Sequence, residues 1–158
     1  MLKTGIEHPK QDRELTDFLS YRIVRLHQAL NNQATTLVDT IAGVSLIQWR
    51  VIAMVGSDTA RTARELVRKS VIDPAVISRT VRGLESAGIM ELSRSHRDRR
   101  VLELSLTPSG QEIYQRTFPK MQMRQAALLD ALDQSEQDVI FEILDKLEVA
   151  AEKRTHIA

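Results

Sequence analysis

The chain has 158 residues, of which 42% are hydrophobic, and this is enough to build the core of one ordinary domain. Its 22 basic and 21 acidic side chains give a net charge of +1, which excludes a polybasic or histone-like protein. The absence of cysteine excludes disulfides, zinc-thiolate sites and thiol redox sensing, and it favours a cytoplasmic location. No apolar run approaches the roughly 20 residues that cross a bilayer, so we expect no signal peptide and no membrane anchor.

The N-terminal part of the chain predicts one long helix. Apolar residues recur every three or four positions from Leu15 to Ile41 without a break, which gives the helix a single continuous stripe. A stripe of about seven turns is longer than a domain of this size usually covers with its own core. We therefore expect the helix to pack against a partner chain, and a long internal helix is the alternative.

Capping residues predict three further helices. Each begins with a side chain that can accept a hydrogen bond from a free backbone amide, and a glycine suits the end of the second and the fourth. The second and third helices also have glutamine or glutamate three residues after the cap, and the fourth has proline at its first position. From cap to expected end, the helices are Ser45 to Gly56, Thr62 to Ser70, and Asp73 to Gly88.

The C-terminal third predicts two more helices. Thr107 and Pro108 open the first of them, and Pro119 should kink it near Phe118 rather than divide it. The last helix is expected to begin at Ser135, with Asp138 completing its cap, and to carry apolar residues at helical spacing.

Positive charge is concentrated in the middle of the chain. Residues 61–100 carry a net charge of +5, and arginine provides most of it. The fourth predicted helix has an apolar face and an opposite face that is small and basic. Such a face suits the DNA major groove, because arginine reaches guanine or phosphate and a small residue allows close approach. The predicted DNA contacts on this face are Ala75, Ser78, Arg79 and Arg82.

A β-hairpin with a charged tip follows that helix. Alternating apolar and polar residues at 90–93 and 102–106 predict its two strands. The order of helix, turn, basic helix and hairpin is that of a winged helix-turn-helix, whose hairpin tip approaches an adjacent minor groove. Arg97, Arg99 and Arg100 are the predicted DNA contacts at the tip, and Asp98 is expected to pair with one of them and stiffen the turn. An ordinary solvated turn is the alternative.

Residues 61–110 resemble the multiple-antibiotic-resistance regulator (MarR) family of winged-helix transcription factors. The resemblance is carried by two segments, DPAVISRTVRGLESAGIMELSRS and HRDRRVLELSLTPSG. It implies a homodimer held together by the N- and C-terminal helices, which binds a palindromic operator. It also implies that small aromatic or phenolic molecules bind between the dimer helices and the DNA-binding lobe and weaken DNA binding. The positions that match are Ser78-Arg79, Leu84-Glu85, Gly88, Arg94, Asp98, Arg100, Leu106-Thr107 and Gly110.

The predicted fold is mainly α (α+β), with a winged helix-turn-helix lobe between two dimerisation regions. The boundaries are 1–42 for the N-terminal dimerisation helix, 43–110 for the DNA-binding lobe and 111–158 for the C-terminal dimerisation helices. We expect a transcriptional repressor that binds double-stranded DNA as a homodimer and is released by a small aromatic effector. The alternatives are a DNA-binding regulator without an effector and a winged-helix module that contacts only proteins, which would be expected to lose its outward arginines.

The effector site is the least specified part of the prediction. Tyr21, His27 and Trp49 lie on the helices that border the crevice in similar proteins, and each could instead be a core, interface or surface residue. The four histidines lack the spacing of metal ligands, so we expect no metal and no cofactor. The chain has no phosphate-binding glycine loop, nucleophile elbow or zinc-binding helix motif, so we expect no enzymatic activity.

Overall fold

The computed structural model describes residues 14–95 and 98–152, and the mainly helical fold with one small sheet confirms the predicted fold class. The chain divides into two compact units, one ending at Arg116 and the other beginning at Thr117. The helices are α1 (Leu19–Ala42), α2 (Leu46–Gly56), α3 (Ala63–Lys69), α4 (Pro74–Ser86), α5 (Pro108–Leu129) and α6 (Gln134–Glu152), and the strands are β1 (Met90–Arg94) and β2 (Leu102–Leu106).

The first helix is shorter than its apolar stripe predicts. A separate 3₁₀ turn spans Leu15–Asp17, and Phe18 then takes an extended backbone conformation (φ −67°, ψ 137°) before α1 begins. The prediction of one unbroken helix from Leu15 is therefore wrong. The apolar residues of the first half of α1 are exposed, whereas Ala34 and Val38 in the second half are buried. The C-terminal half of α1 is thus the part that contributes to the core.

Side-chain caps set the starts of α2 and α3, as predicted. The Ser45 hydroxyl accepts a hydrogen bond from the Gln48 amide (3.2 Å), and the Gln48 side chain accepts one from the Ser45 amide (2.8 Å). At α3 the Thr62 hydroxyl accepts from the Glu65 amide (3.2 Å). The Glu65 carboxylate, however, accepts from the amide of Arg61 (2.7 Å), and this bond holds the pKa of Glu65 below its usual range.

The predicted hairpin forms between β1 and β2. The strands are antiparallel, with Met90 opposite Leu106 at the base and Arg94 opposite Leu102 near the tip. Met90 and Leu104 point into the core, where Met90 is 1% and Leu104 5% exposed. The Leu104 amide also donates to the carbonyl of Arg61 (2.7 Å). This bond ties the segment before α3 to the hairpin.

The start of α5 packs closely against the segment that joins α4 to β1. A Cβ built on Gly110 would lie 2.0 Å from the carbonyl oxygen of Ile89, so only glycine fits there. Thr107 caps α5 by accepting from the Gly110 amide (3.1 Å), and its hydroxyl donates to the carbonyl of Gly88 (2.6 Å). The helix continues through Pro119, which confirms one helix rather than two, and the kink at this proline stays a prediction.

The cap of α6 lies two residues earlier than predicted. Asp133 Oδ1 accepts from the Glu136 amide (3.0 Å), and the Glu136 carboxylate accepts from the Asp133 amide (2.9 Å). The Ser135 hydroxyl donates to Asp133 Oδ1 (2.7 Å) and lowers the pKa of that carboxyl. The predicted cap at Ser135 with Asp138 is therefore wrong, because Asp133 and Glu136 satisfy two free amides reciprocally.

Replacing Gly110 should destabilise the fold, and Gly83 provides the control. Gly110→Ala places a methyl group against the Ile89 carbonyl and should lower the free energy of unfolding by about 1–3 kcal/mol, as overpacking does. Gly83, inside α4, has nothing within 4 Å of a built Cβ, and Gly83→Ala should raise that free energy by about 0.5–1 kcal/mol through helix propensity. Urea unfolding measures both, and a Gly110→Ala protein as stable as the wild type would contradict the close contact.

Candidate nucleic-acid interface

Asp73 fixes the beginning of α4. Its Oδ1 accepts hydrogen bonds from the amides of Ala75 (2.8 Å) and Val76 (3.2 Å), and Pro74 occupies the first helical position, as predicted. Pro74 has no amide hydrogen, and the amides of Ala75 and Val76 donate to Asp73. The first turn therefore needs no ligand to satisfy its amides. The cap at Asp73 and the proline at position 74 therefore fix the residue at which α4 begins.

The faces of α4 are divided as the sequence predicts. Ile77, Val81 and Leu84 are at most 4% exposed and anchor the helix on the lobe that α2 and α3 build. The outward face holds the four residues predicted to contact DNA, and all four are exposed: Ala75, Ser78, Arg79 and Arg82. An exposed, basic surface thus lies along one side of α4.

The charge on this surface is not cancelled locally. Among the residues that the structure describes, neither Arg79 nor Arg82 forms an ion pair. Arg61 does, because its guanidinium lies 3.1 Å from the Asp58 carboxylate, and this contact raises the pKa of Arg61. Arg79 and Arg82 can therefore meet phosphates or base edges without first breaking an ion pair.

The tip of the hairpin is held by backbone hydrogen bonds. The Asp98 carboxylate accepts from the amide of Arg100 (2.9 Å), and the Asp98 carbonyl accepts from the amide of Val101 (2.9 Å). The Arg94 guanidinium donates to the carbonyl of Arg99 (3.1 Å). The carboxylate of Asp98 thus stabilises the turn through a backbone amide, whereas the sequence predicts an arginine side chain as its partner.

The predicted contacts at the tip can be placed in part. Arg99 and Arg100 are exposed, and Arg97 lies outside the described residues. The spacing of residues in the sequence did not predict that Arg94 contacts the backbone across the turn. Its position as the last residue of β1, five residues before Arg99, is the signal that could have indicated it.

Trp49, a candidate effector contact, lies in the core. It is 3% exposed, and its ring stacks on that of Tyr114 with the centroids 6.3 Å apart and the planes inclined by 20°. Gly56 at the end of α2 leaves room for the same tyrosine, since a Cβ there would lie 2.7 Å from the Tyr114 ring. The aromatic pair therefore joins α2 to the first turns of α5.

The other candidate effector contacts lie on the exposed part of α1. Tyr21 is 39% exposed. The ring Nε2 of His27 is 2.8 Å from the side-chain nitrogen of Asn31, and Asn31 Oδ1 accepts from the guanidinium of Arg50 on α2 (2.8 Å). His27 thus belongs to a polar chain that links α1 to α2. The structure gives each of the three candidates a different environment.

Residues 14–95 and 98–152 contain no cluster of three or more side chains that could hold a metal ion. Within the same ranges no single helix is long and apolar enough to cross a membrane, and α1 with α2 meets that criterion only as a pair bent by 74°.

Part of the chain matches a known protein family, and the fold is similar to that of several solved structures. Residues 42–101 match the MarR family. A MarR/EmrR family transcriptional regulator from Acinetobacter sp. ADP1 is 26% identical, with 84% of this chain and 93% of that chain covered and a TM-score of 0.76. The S. aureus MepR–DNA complex is 14% identical over 85% of this chain and 99% of that chain, with a TM-score of 0.77. Bordetella bronchiseptica BpsR, whose DNA binding is regulated by 6-hydroxynicotinic acid, is 18% identical over 86% and 96%, with a TM-score of 0.73.

A capped basic helix on a helical lobe, followed by an antiparallel hairpin, defines a winged helix-turn-helix DNA-binding protein. Residues 42–101 match the MarR family, which confirms the resemblance found in the sequence and indicates a DNA-binding transcriptional regulator. Members of this family are regulators and not enzymes.

Proposed function

We propose that the protein is a repressor that binds a palindromic operator as a homodimer and is released by a small aromatic effector. The observation that carries the proposal is the division of α4 into two faces. Its outward side chains are exposed and either small or basic, and those on the opposite face are apolar and buried. In this proposal residues 43–110 form the DNA-binding lobe, and residues 1–42 and 111–158 form the dimerisation regions.

The outward residues of α4 have distinct proposed roles in the major groove. Ala75 in the first turn lets the backbone approach the bases, and Ser78 can donate to or accept from a base or phosphate. Arg79 has the reach and the forked donors to bind guanine O6 and N7. Arg82, one turn further from the N-terminus, is assigned to the phosphate backbone.

The hairpin tip is assigned to the adjacent minor groove. Arg99 and Arg100 are exposed on a turn that Asp98 and Arg94 hold, so their backbone needs little ordering on binding. An arginine in a narrow A·T-rich minor groove responds to groove width and makes few base-specific contacts. Arg97 is proposed to act with them. A module that contacts only proteins has no need of these exposed arginines.

Replacing Arg79 and replacing Arg100 by alanine should affect DNA binding in different ways. Arg79→Ala should cost about 1–3 kcal/mol per half-site and relax the base preference at one symmetric pair of positions. Arg100→Ala should weaken binding to all sequences, with any lost selectivity confined to A·T-rich flanks. Binding to a duplex selected from a randomised pool, at one fixed salt concentration, is compared with binding to a random duplex.

Arg116→Ala is the matched control for these variants, because Arg116 is an exposed arginine on α5 and has no assigned DNA contact. It should bind both duplexes as the wild type does. An equal loss on selected and random DNA for Arg79→Ala would remove its base-reading role.

The proposal of a homodimer is supported by apolar helix faces that the chain itself does not cover. No residue of α6 is buried, and Phe141, Ile143 and Leu144 are all more than 40% exposed. The first half of α1 is similar, with Leu19 and Leu26 more than half exposed. Apolar faces of this extent mark interaction surfaces. A second copy of the chain is the proposed occupant, since a palindromic site requires two lobes related by a two-fold axis.

An acidic residue on the apolar face of α6 should break the dimer. Leu144→Asp puts an unpaired charge where the partner helix packs and should shift the protein to monomer at low micromolar concentration. Val149→Asp is the control, because Val149 is an exposed apolar residue on α6 that lies about 140° further round the helix. Sedimentation equilibrium measures both variants. A stable Leu144→Asp dimer would refute the proposed interface.

The proposed effector control is supported by the two halves of α1. Its exposed half carries Tyr21 and His27, and its buried half packs with α2, which holds Trp49. A ligand that moves α1 relative to α4 would change the spacing of two DNA-binding lobes in a dimer. To do so it must bind one spacing better than the other, because a ligand of equal affinity shifts nothing.

Effector and operator should weaken each other by the same factor. An aromatic acid that releases DNA should itself bind more weakly to the operator complex, typically by about 5- to 150-fold for a coupling of 1–3 kcal/mol. Fluorescence of Trp49, the only tryptophan, follows the titration with 6-hydroxynicotinic acid, salicylic acid and other phenolic acids. A compound that releases DNA but binds free and DNA-bound protein equally would contradict coupled control.

A further inference from the structure

Val71 is the most exposed large apolar side chain among the described residues, with a relative accessibility of 105%. It lies in the turn between α3 and α4, two residues before the N-cap Asp73. Many of the other exposed apolar residues lie on α1 and α6, the helices assigned to the proposed dimer. Val71 lies on neither helix, so that interface does not account for it.

The turn that presents Val71 is ordered on both sides. The Ser70 amide donates to the Leu66 carbonyl (2.9 Å), and the Ile72 amide donates to the Ser70 hydroxyl (3.4 Å). Asp73 then caps α4 as described above. A valine has one side-chain torsion and a strong rotamer preference. Its two methyl groups are therefore held outward at little cost in conformational entropy.

The surroundings of Val71 fit a nucleic acid. Arg68 and Lys69 form the basic last turn of α3 just before it, and the exposed basic face of α4 follows. In a helix-turn-helix, the N-terminal part of the second helix contacts the base edges in the major groove. An apolar side chain at that end can gain from one group in the groove, the 5-methyl of thymine, because every other base edge there is polar.

We infer that Val71 packs against the 5-methyl group of a thymine in each half-site and so contributes to sequence specificity. The inference rests on the proposed DNA-binding role of α4 and adds a readout that hydrogen bonds do not supply. It assigns the turn a direct part in recognition, besides its part in connecting two helices.

Replacement of thymine by uracil tests the inference, because uracil lacks only the 5-methyl group. A duplex selected by the full-length protein from a randomised pool is resynthesised with deoxyuracil at each symmetric pair of thymines in turn. One pair should weaken wild-type binding by about fourfold per half-site, since burying one methyl-sized group contributes about 0.8 kcal/mol. Val71→Ala should bind the unmodified duplex more weakly and lose its sensitivity at that pair alone.

Val101→Ala is the control. Val101 is an exposed valine of the same lobe, but it lies at the hairpin tip. The tip is assigned to a minor groove, where no thymine methyl is found. It should keep the wild-type response to uracil at every position.

Each failure has a separate meaning. If the protein selects no duplex from the pool, the proposed function fails before Val71 is tested. If it binds the selected duplex with no loss at any uracil pair, or if Val71→Ala retains the full loss, the inference about Val71 is wrong while the DNA-binding proposal stands. Equal weakening of Val71→Ala on selected and random DNA would also overturn it, since that result indicates a sugar contact.

Discussion

The geometry of the proposed DNA-binding lobe depends on one close backbone contact. The first turn of α5 reaches the Ile89 carbonyl because Gly110 has no side chain, and Thr107 hydrogen-bonds to Gly88 in the same junction. The Thr107 amide also donates to the Ile89 carbonyl (3.1 Å). The chain leaves α4 and returns from the hairpin at this point. The end of the hairpin and the segment that follows α4 are therefore held together by contacts among uncharged groups.

The distribution of charge along the chain favours binding of the lobe to DNA phosphates. The whole chain is almost neutral, yet residues 61–100 carry a net charge of +5. Asp58 pairs with Arg61 at the edge of the lobe, whereas Arg79 and Arg82 on α4 remain without an ion pair among the described residues. Affinity for phosphates follows the local charge more closely than the net charge, since screening limits each charge to about 10 Å at 0.1 M salt.

Most of the fold could be predicted from the sequence because its elements are bounded by local chemistry. Asp73 with Pro74 begins α4 where the pattern places it, and so does Ser45 with Gln48 for α2. Predictions of where a helix begins failed at α1 and α6. Leu15 continues the apolar spacing of α1 but is separated from the helix by extended Phe18, and Ser135 could cap α6 but a better box lies two residues earlier.

The candidate site likewise has features that the sequence predicts and features that it does not. The exposure of the basic face of α4 follows from helical periodicity, so the sequence was sufficient to find it. The partner of the Asp98 carboxylate and the contact between Arg94 and Arg99 depend on how the hairpin turn closes, which residue types alone do not determine. The burial of Trp49 likewise depends on Tyr114, a residue 65 positions away in the sequence, and no local pattern indicates that pairing.

The two halves of α1 connect the DNA-binding lobe to the proposed dimer interface. Its C-terminal half packs on α2 of the lobe, with Ala34 and Val38 buried and a hydrogen bond from Arg50 to Asn31. Its N-terminal half offers an apolar face that the chain leaves exposed. A helix anchored in this way to the lobe and, as proposed, to a second copy transmits any rotation at one end to the other, because a helix is stiff along its axis. In the proposed dimer, the spacing of the two DNA-binding lobes would then be set at the dimer interface, and the proposed effector would act on α4 by biasing that interface.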